Sequence, residues 1–90
     1  MATYYATCHT PDNNDSDRRI QGLGGPAMGW LNVDTIIMMI DMGHTFFTSP
    51  PSGTGQLIIT ATHPVSKRRY IKTLTDGVAP NNILNLPRCP

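Results

Sequence analysis

One stretch of this chain repeats its apolar residues at the spacing of a helix, while the rest reads as short strands and turns. Val33, Ile36, Ile37 and Ile40 fall at i, i+3, i+4 and i+7, which puts all four on one side of a 3.6-residue turn. Asn32 is placed to accept from the orphan amides of the first turn, Asp34 sits where the helix dipole favours an anion, and Gly43 suits the position after the last turn. The pattern predicts a helix over about residues 33–42. Its other side carries Met38, Asp41 and Met42, less polar than a face turned wholly to water.

On both sides of that helix the chain is rich in β-formers and broken by turn residues. TYYATCHT (3–10) sets Tyr4, Ala6 and Cys8 against Thr3, Tyr5, Thr7 and His9, the alternation of a strand. PDNNDSD (11–17) is a dense turn cluster, and RRIQGL (18–23) reads as the returning arm of a hairpin. GGPAMG (24–29) breaks structure again. HTFFTS (44–49) and GQLIITATH (55–63) are strand-like, with Pro-Pro-Ser-Gly-Thr between them, and RRYIKTLT (68–75) follows the PVSK turn. The order β-β-α-β-β-β points to one α+β domain over 1–90, a mostly antiparallel sheet with one helix packed on it and a structured C-terminal tail.

Composition narrows the function classes. A chain of 90 residues buries only about 60–65% of the surface its unfolded form exposes, so a deep cleft between lobes has no room. Hydrophobic residues make up 39% and charged residues 14%, which opposes disorder. The formal charge of +1 gives no global field toward nucleic acid or an anionic membrane. The longest apolar run, Ile36 to Ile40, is far short of the roughly 20 residues of a membrane helix. The start of the chain lacks a basic leader and apolar core, so the expected address is cytoplasmic, with Cys8 and Cys89 as thiols; a bridge between them requires a fold that brings the two ends together.

No residue set converges on chemistry. Gly22-x-Gly24-Gly25 is followed by Pro26, with the helix several residues later, so it reads as a turn and not as a phosphate loop. Cys8, His9, His44, His63 and Cys89 have none of the short spacings of zinc sites. His44 beside the helix end reads as a partner for the C-terminal dipole. The chain has no glutamate, and its six aspartates show no positioned pair. Cys8 and His9, adjacent on a strand, point to opposite faces and form no dyad, and Cys8 reads as a buried thiol on the Tyr4/Ala6 face. Catalytic, cofactor-binding and metal-binding residues are therefore expected to be absent. Trp30, just before the helix cap, reads as an apolar staple.

The charge pattern is more informative. Arg18 and Arg19 open one strand, and Lys67, Arg68 and Arg69 open the last, followed by Tyr70 and Lys72. Neighbouring strand starts would merge these into a patch for nucleic acid or another polyanion, with Tyr70 or Trp30 as a stacking face. The plainer reading has them solvating strands and protecting a sheet edge from aggregation.

The tail, YIKTLTDGVAPNNILNLPRCP (70–90), alternates turn formers with apolar residues. Asp76-Gly77 signals a turn, Asn81 and Asn82 suit capping of backbone groups, and Leu84 and Leu86 suit closing an open end of the core. Pro87 and Pro90 would stop further pairing. The tail thus reads as a latch.

Together with IQGLGG, GW, the helix ending IDMGHTFFT and the closing run YIKTLTDGVAPNNILNLPRC, the chain resembles a family of short, functionally uncharacterised bacterial and archaeal domains over nearly its whole length. That resemblance implies a small α+β domain, alone or beside others, and no assigned activity, cofactor or catalytic residue. The expected function is a non-enzymatic interaction or accessory module that binds a protein partner or a second copy of itself. Polyanion binding is the alternative, and no membrane is involved.

Overall fold

A computed structural model describes residues 2–11, 20–49, 55–74, 83 and 86–89. Within them the chain forms β1 (Thr3–Ala6), β2 (Cys8–Pro11), β3 (Ile20–Gly25), β4 (Gly29–Asn32), α1 (Val33–Asp41), β5 (Thr45–Thr48), β6 (Leu57–Thr62) and β7 (Arg69–Thr73). The class is α+β, but the order is four strands, one helix and three strands. The strands divide between two sheets, β1-β5-β6-β7 and β2-β3-β4. All pairs are antiparallel except β1 with β5.

The helix follows its sequence. The Asn32 side chain accepts from the Thr35 amide at 2.8 Å, and Val33, Ile36 and Ile37 are buried. Gly43, with φ of 103°, takes the left-handed conformation that ends the last turn. The His44 Nδ1 accepts from the Ala2 amide at 3.2 Å.

Two expectations about strands need correction. Residues 3–10 are not one strand: the chain leaves the first sheet at Ala6 and enters the second at Cys8. The change of sheet resets the alternation, so His9 is buried and Cys8 only half-buried. GGPAMG is not a break either. Gly24 and Gly25 end β3, residues 26–28 turn, and Gly29, with φ of 62°, opens β4. This hairpin was hidden because glycine-rich strands carry little β-propensity.

The glycines of β3 serve close approach. Gly22 and Gly24 lie on the outer side of the three-stranded sheet, opposite the buried Leu23. A Cβ on Gly22 would collide with the Trp30 ring, and one on Gly24 would come within 2.7 Å of Cys8 Sγ and 3.1 Å of Cys89 Sγ. A Cβ on Gly25 would strike the Tyr5 carbonyl, so the glycine lets β1 and β3 meet. Trp30 is not a buried staple. It is 47% exposed, lies over Gly22 and donates from Nε1 to Thr10 Oγ1 at 3.1 Å.

Cys8 and Cys89 are not thiols. They form a disulfide across 81 positions, with Cα atoms 4.9 Å apart. The end of the tail pairs with β2: His9 N donates to the Pro87 carbonyl at 2.9 Å and Cys89 N to the His9 carbonyl at 2.8 Å. Pro87 therefore takes part in pairing through its carbonyl instead of preventing it. Ile83 and Leu86 are buried with Ile20, Leu23, Phe46 and Ile71, in a core between the helix, the inner face of the four-stranded sheet and the three-stranded sheet.

Candidate protein-binding face

Strand pairing decides which side chains of the four-stranded sheet face the helix. Phe46 pairs with Ile58, Ile58 with Thr73, and Thr60 with Ile71. Phe46, Ile58, Ile71 and Thr73 are buried, which marks the inner face. Arg69 is on the same side and closes it at one corner, where Nη1 and Nη2 donate to the two Asp41 oxygens of α1 at 2.6 and 2.8 Å. Nη2 also donates to Thr60 Oγ1 at 3.1 Å.

By the period of two, the other side carries Tyr5 of β1, Phe47 of β5, Leu57, Ile59 and Ala61 of β6, and Tyr70 and Lys72 of β7. The cross-strand pairs are Tyr5 with Phe47, Phe47 with Leu57, Ile59 with Lys72 and Ala61 with Tyr70. Tyr5 and Phe47 stack with centroids 5.8 Å apart. Tyr5 is 52% exposed and Leu74, just past β7, is 57% exposed. An antiparallel sheet with one wet face ordinarily alternates apolar-in and polar-out. Here β6 is apolar on both sides from Leu57 to Ile59, the pattern of a strand covered on both faces. Among the described residues, helix and second sheet lie only on the inner side.

Residue type and register thus assemble an apolar surface that individual motifs did not reveal. The available signal was the uninterrupted Leu57-Ile58-Ile59. In a strand, such a run commits both faces to apolar surroundings.

The basic residues are divided. Lys67 and Arg68 are exposed in the β6–β7 turn, with Lys67 at φ of 64°. Lys72 is on the outer apolar face, and Arg69 is turned to the inner side and held by Asp41. Hydrogen bonding from Arg69 holds the Asp41 carboxyl below its ordinary value; desolvation opposes this, and the Arg69 charge adds to it. Arg18 and Arg19 lie outside the described residues, as do Asp76, Gly77, Asn81, Asn82 and Leu84 of the tail. Leu86 is in the core at 4% exposure. Tyr70 and Trp30 belong to different sheets and do not share a stacking surface.

The metal-capable residues are dispersed. Cys8 and Cys89 are bonded to each other, and His9 is on the opposite, inner side of β2, with its Nδ1 buried and unpartnered among the described residues. His63 Nδ1 accepts from the Val65 and Ser66 amides at 3.2 and 3.3 Å, fixing the β6–β7 turn. Among the described residues no three His, Cys, Asp or Glu side chains gather to hold a cation, and no described helix is long and apolar enough to cross a membrane.

No curated protein and no solved structure matches the chain. A protein family, described as a protein of unknown function (DUF3892), matches residues 5–87. With the match running from Tyr5 in β1 to Pro87 in the tail, the chain belongs to that family of domains of unknown function.

Proposed function

We propose that this chain is a non-enzymatic interaction module whose outer sheet face docks on another protein, one presenting an apolar surface bordered by acidic side chains. The observation that carries this reading is the two-sided apolar character of β6, with Leu57, Ile59 and Ala61 turned away from the core and flanked by Tyr5, Phe47 and Tyr70. Burial of such a surface contributes roughly 25 cal/mol per Å² toward association, and aromatic residues are favoured at the centres of interfaces.

Charge selects among occupants. Lys72 is on the face and Lys67 and Arg68 are exposed on the turn that ends it, while no acid stands on it among the described residues. An acid-bordered partner complements these cations, and complementarity sets specificity and encounter rate. A second copy would bring like charges together. A polynucleotide would need stacking platforms at the centre, where this face offers aliphatic Leu57, Ile59 and Ala61. The described carboxylates, Asp34 and Asp41, stand at opposite ends of α1, and Asp41 is held by Arg69, so neither supports an acid–base pair.

Ile59→Asp tests it, because the substitution alters the face without entering the core. Proteins retained by the tagged wild-type chain and lost with Ile59→Asp are purified and titrated calorimetrically at low and high salt. Direct binding that weakens with salt and falls at least tenfold with Ile59→Asp, at an unchanged melting temperature, is the expected result. A dimer in light scattering that Ile59→Asp dissociates would assign the face to self-association. Salt-sensitive binding of labelled oligonucleotides, indifferent to Ile59→Asp, would replace the proposal with polyanion binding.

A further inference from the structure

Among the described residues, the tail reaches β2 through few connections. The backbone offers one parallel bridge, His9 with Arg88, made by the His9 amide on the Pro87 carbonyl and the Cys89 amide on the His9 carbonyl. The apolar seat is made by Ile83 and Leu86. Beyond these stands the covalent bond of Cys89 to Cys8, at the first residue of β2. Both cysteines are half-buried instead of enclosed, and the bond lies on the outer side of the sheet over Gly24, where no side chain separates it from the surface of β3.

We propose that the Cys8–Cys89 bond is a redox-controlled tie, reduced within the folded protein by a dithiol, and that its reduction releases the end of the tail from β2. In the exchange, one thiolate of the dithiol attacks a sulfur of the bridge and forms a mixed disulfide. The other cysteine leaves as a thiolate and takes up a proton. The second thiol of the reductant then closes on the mixed disulfide and frees the remaining cysteine. Two electrons and two protons pass to Cys8 and Cys89, and the dithiol leaves as a cyclic disulfide.

Release follows from how few backbone contacts hold this end among the described residues. Without the covalent bond, what the described residues show holding this end on β2 is one bridge and the burial of Ile83 and Leu86, set against the chain entropy of the tail. Opening uncovers the outer edge of β2 from Cys8 to Thr10, whose neighbour on the other side is β3. An uncovered strand edge accepts a further strand, so the redox state would decide whether that edge is presented. The tie is independent of the outer face of the four-stranded sheet and stands or falls separately from it.

The test follows amide hydrogen exchange of the full chain, oxidised and then treated with dithiothreitol, at a temperature where both forms give a cooperative melt. Intact mass and thiol titration establish the state of the cysteines. Reduction is expected to speed exchange at the His9 and Cys89 amides at least tenfold, while β6 and β7 amides remain protected. Emission of Trp30, the single tryptophan, is expected to rise, because it is paired with the Gly24 on which the quenching disulfide sits. The Cys8→Ser/Cys89→Ser variant should reproduce the reduced pattern in the absence of reductant. Unchanged protection at His9 and Cys89 after complete reduction would overturn the proposal. So would reduction that proceeds only with global unfolding, or two free thiols in protein purified without reductant.

Discussion

Gly22 and Gly24 show how single residues decide what may lie over a sheet. A methyl group at Gly22 meets the Trp30 ring and one at Gly24 meets both sulfurs of the disulfide. Gly22→Ala is expected to cost about 1–3 kcal/mol, the range for overpacking, and to shift Trp30 emission as the ring leaves Thr10. Thermal unfolding and fluorescence check both outcomes. The Arg69–Asp41 pair makes a pH prediction of definite sign. Asp41 is held below its ordinary value of 3.8 by hydrogen bonds from Arg69. The stability it contributes is therefore present above the unfolded carboxylate range and disappears as pH falls through the folded value. Arg69→Gln should flatten that acid limb. Urea midpoints measured from neutral pH down to strongly acid solution test it, and an acid limb identical to wild type would assign the effect to other carboxylates. Both side chains are nearly half exposed, so the effect at neutral pH is small.

At the scale of elements, the helix and the tail contrast. The helix was legible because its cap, period and terminal glycine agree along one contiguous segment. Asn32→Ala should remove about 1 kcal/mol, seen as a lower melting temperature with an unchanged sheet signal. The tail was legible only in part. Its apolar residues signalled burial, and Leu86 is buried, but Ile83, which the sequence did not single out, is fully buried too. Leu86→Ala is expected to cost about 2–5 kcal/mol, and removal of residues 81–90 more than that, measured by denaturant unfolding. A melting curve unchanged by the truncation would make the tail a binding segment instead of part of the core. The β3–β4 hairpin was not legible, because its glycines look like turn residues until Trp30 and the disulfide that cover them are in place.

For the whole molecule, the disulfide closes almost the entire chain. A loop of 81 positions limits the unfolded ensemble by about 4–5 kcal/mol on the chain-entropy account. Reduction should lower the melting temperature by roughly 20 °C for a domain of this size, and a scan with and without reductant measures it. The sequence by itself determined the helix, its caps, the hairpin that pairs β2 with β3 and the α+β class, since each follows from residues close together in the chain. Only the tertiary structure decided that residues 3–10 divide between two sheets, that Cys8 meets Cys89, that Arg69 is turned to Asp41, and that Tyr5, Phe47, Ile59 and Tyr70 share one face. Those outcomes depend on pairing between distant segments. A strand's own alternation states that it has two sides, while its partners decide which side becomes the core.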